Sequence, residues 1–173
     1  MRLFVAVWPS ADVLEQVAAL PRPDVADVRW TRPDQWHVTL RFLGSVVDAD
    51  VPDLRAALAT AARSVGPVTA TAGPSVARFA RRILHVPVEG LGGLAAAVTQ
   101  ATARFGEPPE ERAFTGHITL ARAKGRGRGP DLRPLTGGQV AGEWAVDEVT
   151  LVESRLHPGG ARYEVVGRFP LEA

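Results

Sequence analysis

The 173-residue chain contains no cysteine, a single methionine and, among its 20 basic residues, one lysine, Lys124. Lack of cysteine excludes a disulfide framework, a thiolate nucleophile, an iron–sulfur cluster and any zinc site built on sulfur. It also fits an intracellular protein, because disulfides belong to oxidising compartments. No apolar run approaches the roughly 20 residues of a membrane-spanning helix, so no membrane partner is expected. The apolar opening Leu3–Trp8 is stopped by Pro9 and is too short for a secretory signal. A cytoplasmic location is therefore expected. The formal net charge is only +1, which argues against the broad basic face that a long nucleic-acid duplex requires. With 46% hydrophobic and 23% charged residues, the composition is that of a folded globule. A chain of this length buries roughly 68–70% of its unfolded surface and needs no covalent or metal staple. One domain, residues 1–173, is expected, built as two related lobes.

The charge that is present is unevenly placed. Arg122, Lys124, Arg126, Arg128 and Arg133 face only Asp131 in their segment, and Arg78, Arg81 and Arg82 form a second basic cluster. Acidic residues gather at Glu107, Glu110 and Glu111 and again between Glu143 and Glu153. A basic patch on a nearly neutral protein suits a small anion or a nucleic-acid end; a plain solvated face is the competing explanation.

Periodicity predicts strands over Leu3–Trp8, Trp36–Leu43, Val68–Ala72, Ile83–Val88, Phe114–Arg122, Ala145–Ser154 and Arg162–Phe169. Helices are predicted over Ala11–Leu20, with Ser10 as N-cap, over Asp50–Ser64 and over Leu91–Phe105. Gly125–Pro130 reads as a flexible loop. Mixed elements in this order indicate an α/β or α+β fold.

Two of the four histidines lie in matching strand segments 80 residues apart, His37-Val38-Thr39-Leu40 and His117-Ile118-Thr119-Leu120. Residues i and i+2 of a strand share a face. His37 with Thr39, and His117 with Thr119, therefore project together, while the aliphatic residues between them face a core. One strand histidine alone is ordinarily structural; two in the same setting indicate a site. Imidazole gives or takes a proton near neutral pH, and a pair can serve as general acid and general base. Threonine hydroxyls beside them can donate to phosphate oxygens. This is equipment for phosphodiester cleavage without metal or cofactor. A threonine nucleophile activated by its own histidine is disfavoured, since residues two apart on a strand are roughly 6.6 Å apart. A two-histidine metal site lacks a carboxylate on the correct face, because strand parity turns Asp34 away. The glycine-rich stretch at Gly125–Gly129 is not a nucleotide-binding P-loop.

The paired His-x-Thr-Leu motifs, with Arg41-Phe42-Leu43-Gly44 after the first and Ala121-Arg122 after the second, resemble those of the two-histidine phosphoesterase superfamily. Within it the chain is similar to the bacterial and archaeal RNA 2′,3′-cyclic phosphodiesterases, also called 2′-5′ RNA ligases. The likeness runs from the first strand, Met1–Val7, to the segments Glu153–Leu156 and Tyr163–Val165 near the end. The resemblance implies an α+β, bilobal fold, with two antiparallel sheets and outer helices around a central V-shaped groove. It implies hydrolysis of the cyclic phosphate at RNA 3′ ends to a 2′-phosphate, with no cofactor and no metal. By position, His37 would be the general acid and His117 the general base; Thr39 and Thr119 would hold the phosphate. Phe42 would stack on the terminal base and Arg122 would neutralise charge. On a straight strand both have the wrong parity for the histidine face and need a bulge, a twist or a strand end to reach it.

This sequence departs from that pattern at Gly116, where proline is common, and at His85, where an aromatic residue is common. His85 is either a groove-lining side chain or an ordinary strand residue. Two alternatives stand beside the main reading: the same machinery acting on 2′-5′ linkages or small cyclic nucleotides, and a non-catalytic binder of RNA ends. The expected partners are RNA 3′ ends or small nucleotides bearing a cyclic phosphate, and a monomer is expected.

Overall fold

The computed structural model describes residues 1–172. It contains ten strands: β1 (Arg2–Val7), β2 (Val28–Trp30), β3 (Val38–Ser45), β4 (Val68–Ala72), β5 (Ala77–Phe79), β6 (Ile83–Glu89), β7 (His117–Ala123), β8 (Gly142–Val146), β9 (Glu148–His157) and β10 (Gly160–Pro170). Three helices interrupt them: α1 (Ala11–Ala18), α2 (Val51–Ser64) and α3 (Gly92–Thr102). Every strand pairing is antiparallel. The sheet runs β10-β9-β1-β3-β7-β6-β4-β8, with β2 added to β7 and β5 to β6. No described helix is long and apolar enough to cross a membrane.

Two four-stranded halves meet at the centre of this path through one residue pair, Val38 opposite Ile118. The two expected sheets are thus one continuous but sharply curled sheet. Beyond that pair β3 and β7 diverge, and β7 takes β2 as its neighbour instead, with Val28, Arg29 and Trp30 opposite Ala123, Arg122 and Ala121.

The helices pack on the sheet and on one another. Ser10 caps α1 by accepting the Val13 N–H, which satisfies one of the donors a helix start leaves open. The Gln16 side chain then bonds both Ala141 N–H and Ala141 O, docking α1 beside β8 in the other half of the sheet. Helix α2 buries Leu54, Leu58, Ala61 and Ala62, and α3 buries Leu94, Ala95 and Val98. These two helices pack on each other and on β10 and β3. One hydrophobic core therefore spans both halves, from Leu3 and Leu58 to Val86 and Trp144. Strand β1 is buried on both faces. Its odd residues join that core, while Phe4 and Ala6 form a separate cluster with Val152, Trp8, Tyr163 and Val165.

The expected helices are present: α1 starts at Ala11 as expected and stops two residues early, α2 starts one residue late and ends at Ser64 as expected, and α3 is shorter at both ends. Two strands differ more. The single strand expected over Ala145–Ser154 is two, broken at Asp147, because the chain there crosses from β4 in one half to β1 in the other. Its unbroken apolar character conceals the crossing. The strand expected from Phe114 begins at His117, since Phe114 and Thr115 line the groove instead of pairing.

Candidate active site

Each His-x-Thr segment contains a β-bulge at its leucine. On β3, Val5 pairs with Arg41 and Ala6 with Thr39, leaving Leu40 as the extra residue. On β7, Leu84 pairs with Ala121 and His85 with Thr119, leaving Leu120 as the extra residue. A bulge shifts strand parity by one residue. Leu40 and Arg41 are consequently both buried, as are Leu120 and Ala121, and the next residues, Phe42 and Arg122, emerge on the histidine face. The bulge that both residues required is present in each strand at the same place.

The groove between the halves has a volume of about 1050 Å³ and is lined by Thr39, Phe42, His117 and Arg122 among the residues singled out by sequence. His37 touches it through Thr39, with its Nε2 2.9 Å from the Thr39 hydroxyl. This corrects the expectation that a strand histidine lies beyond reach of the threonine two residues on. The repeat of roughly 6.6 Å separates α-carbons, whereas both side chains stand on one face and lean together. One residue either side of the Val38–Ile118 bridge, antiparallel pairing sets His37 across from Thr119 and Thr39 across from His117. Asp34 is exposed and ion-paired with Arg32, 3.1 Å away.

Both imidazoles are oriented alike. His37 Nδ1 lies 2.6 Å from Gln35 O and His117 Nδ1 lies 2.8 Å from Thr115 O. A carbonyl only accepts, so Nδ1 carries the proton in each ring and Nε2 is left for chemistry. Their surroundings differ. His37 is enclosed by Phe4, Trp8 and Tyr163, with ring centroids 4.9, 5.6 and 5.3 Å away. That burial lowers its pKa from 6.5 to about 4; its bond to Gln35 O opposes the shift, and the nearby His117 and Arg122 add to it. His117 stacks on Phe79 at 6.0 Å and meets the edge of His85 at 5.5 Å.

His85 is buried, with no hydrogen-bond partner at Nδ1. It backs the His117 ring instead of lining the groove, and burial first, then His117, lowers its pKa. Sequence reading also missed Arg41. The residue is 6% exposed, and its guanidinium donates to the carbonyls of Phe42, Phe105 and Glu107. It thereby ties β3 to the segment after α3 that walls the groove. The signal was a charge inside an apolar strand, legible only with the bulge. The aromatic enclosure of His37 had a weaker signal, since Tyr163 lies 126 residues away in sequence and shares only the β9-mediated neighbourhood of β1. Gly116, immediately before His117, sits so close to β6 that a β-carbon there would lie 2.3 Å from Val88 O.

A family model of LigT-like phosphoesterases matches residues 7–74. An RNA 2′,3′-cyclic phosphodiesterase of Thermus thermophilus is 32% identical over 188 residues, an alignment covering 99% of this chain and 90% of the relative. A crystal structure of a Thermus thermophilus protein matches with a TM-score of 0.82 at 28% identity, over 99% of this chain and 98% of that one. The crystal structure of Escherichia coli LigT complexed with 3′-AMP matches with a TM-score of 0.73 at 29% identity, over 98% and 97% of the two chains.

Two outcomes follow from the geometry. Gly116→Ala forces β6 and β7 apart at the root of His117, and is expected to disturb the His117 ring signals in an NMR spectrum while leaving those of His157 in place. His37, followed by NMR, is expected to titrate near pH 4. Because an unfolded histidine binds its proton at about 6.5, the unfolded state holds more protons between those values. Stability is therefore full above about pH 6.5 and declines toward about pH 4, by on the order of 3 kcal/mol in all. Urea midpoints that stay flat across that window in wild type, or fall equally in His37→Gln, contradict this.

Proposed function

Because the chain belongs to the LigT-like phosphoesterase family, we propose that it is an enzyme that opens the 2′,3′-cyclic phosphate at RNA 3′ ends, leaving a 2′-phosphate and a free 3′-hydroxyl. The observation that carries this reading is the meeting of the two His-x-Thr strands at one bridge, with both Nδ1 atoms committed to carbonyls. The scissile phosphorus lies between the two Nε2 atoms. His117 takes a proton from water, the water oxygen attacks phosphorus in line with the 3′ oxygen, and the P–O3′ bond breaks. His37 delivers its proton to that oxygen as it leaves. Thr39 and Thr119 donate hydrogen bonds to the non-bridging oxygens, where charge accumulates, and Arg122 supplies positive charge from the groove wall. Phe42, 41% exposed, offers a face for the terminal base.

Burial leaves the His37 ring neutral in the free protein near pH 7. A phosphate anion beside it favours the imidazolium, so substrate binding itself loads the acid. Tyr163 and Phe4 exclude water from this proton, which directs it to the leaving oxygen. No step draws on a metal ion. Among the described residues no cluster of three His, Cys, Asp or Glu side chains has the arrangement of metal ligands.

The test is turnover of an oligoribonucleotide ending in 2′,3′-cyclic phosphate, in EDTA, with products resolved as 2′- or 3′-phosphate. The 2′-phosphate is expected, with losses of roughly 10²–10⁴ in kcat for His37→Ala and for His117→Ala. Unchanged turnover in either variant removes that histidine from the mechanism. Thr39→Ala is expected to cost less than His37→Ala; an equal loss with a trapped phosphothreonine would favour covalent catalysis by Thr39, for which the 2.9 Å contact with His37 is suitable. The kcat profile is expected to be bell-shaped, with His37, the general acid, setting its alkaline limb; that limb lies well above pH 4, where His37 titrates in the free protein, because the bound anion raises the His37 pKa.

A further inference from the structure

Strand β7 carries His117 at its start and Arg122 near its end, then passes directly into Lys124-Gly125-Arg126-Gly127-Arg128-Gly129. Arg122 stands opposite Arg29 of β2. Like charges facing each other across a strand pair are destabilising, and among the described residues no carboxylate pairs with either arginine. Arg29 donates to the neutral Gly159 carbonyl.

The loop that follows is shaped in the same sense. Arg82 donates to the carbonyls of Gly125 and Gly127. This turns the backbone acceptors toward β6 and leaves Lys124, Arg126 and Arg128 exposed. Arg78 and Arg81, on the β5–β6 hairpin, are exposed at the same end, where Ile83 pairs with Arg122. Two carboxylates lie nearby. Asp131 is taken up by Arg133 at 2.9 Å, and Asp27 abuts Lys124 through its carbonyl. In a chain of net charge +1, this concentration does not come from overall basicity.

We propose that this strip, from Arg122 and Arg29 out to Lys124, Arg126 and Arg128, is a track for the phosphodiester backbone of single-stranded RNA on the 5′ side of the cyclic end. The inference rests on the reaction proposed above, which seats the reactive phosphate between the histidines and leaves the preceding nucleotides to exit the groove. Exit past Arg122 takes them onto the arm of the site where cations without carboxylate partners continue. The contacts are electrostatic and carry no sequence preference. They make an oligonucleotide a better substrate than a mononucleotide with the same 3′ residue, and more so at low salt.

The experiment compares a nucleoside 2′,3′-cyclic phosphate with a ten-residue oligoribonucleotide ending in the same cyclic nucleotide. The wild type is set against a Lys124→Ala, Arg126→Ala, Arg128→Ala triple variant. Three lost phosphate contacts correspond to a change of about two in the slope of log affinity against log salt, since single strands give about −0.7 per contact. Between about 50 and 200 mM salt the wild type is therefore expected to lose about twentyfold more oligonucleotide affinity than the variant. The mononucleotide kcat/KM is expected to stay within about twofold, which also shows that the variant is folded. An oligonucleotide preference and salt slope unaltered by the triple substitution overturn the proposal. Anisotropy binding of the same oligonucleotide with an uncleavable 3′-phosphate gives the slope without turnover. A wild type that binds it with the steep slope but turns over neither substrate refutes the reaction and upholds the track.

Discussion

A single antiparallel bridge, Val38 against Ile118, joins the two halves of the sheet, and every group at the candidate site takes its position from it. The two residues are the middle members of the repeated tetrapeptides, so pairing them brings each histidine opposite the threonine of the other segment. Because β3 and β7 separate immediately beyond that pair, the backbone groups there are freed from the ladder and the groove opens. More pairs would close the groove, while loss of this one would disconnect the two tetrapeptides. The bulges at Leu40 and Leu120 then decide what else joins the site, by returning Phe42 and Arg122 to the face that strict alternation would deny them.

The backbone treats the two histidines alike, down to the carbonyl two residues upstream that holds each Nδ1. Solvent does not. His37 is closed in by side chains from β1 and β10, whereas His117 lies open to the groove between Phe79 and His85. Near-equivalent backbone geometry combined with unequal burial gives two imidazoles of the same tautomer, of which the enclosed His37 binds a proton less readily than a free imidazole does. The asymmetry comes entirely from residues outside the repeat: Phe4 and Trp8 near the start of the chain, Tyr163 near its end.

Much of this was legible in the residues. Period-two alternation and the 80-residue spacing of the two tetrapeptides marked the strands and the pairing of His37 and His117 with Thr39 and Thr119. What alternation cannot express is its own interruption. A bulge leaves no signature in residue type at Leu40 or Leu120, so nothing in the sequence marked Arg41 as a buried clamp on Phe105 and Glu107. Strands β2 and β5, three residues each, are too short for a periodic signal and exist because β7 and β6 present open edges. The passage from β8 to β9 stayed hidden because both flanks of Asp147 are apolar, although they belong to opposite halves. Distances between side chains were also beyond a spacing rule, as the His37–Thr39 contact demonstrates.

Helices α1 and α3 each pack away from the half whose strands precede them. α1 follows β1 yet docks beside β8, and α3 follows β6 yet packs against β3. The halves are therefore laced together by helices as well as by the single bridge between β3 and β7. Motion of one half against the other would have to drag a helix across an apolar core that is continuous through both. The groove is accordingly a fixed mould, not a pair of jaws. A substrate meets its hydrogen-bonding groups already in place, with little ordering left to be done on arrival, and discrimination falls to the shape and charge of what can enter.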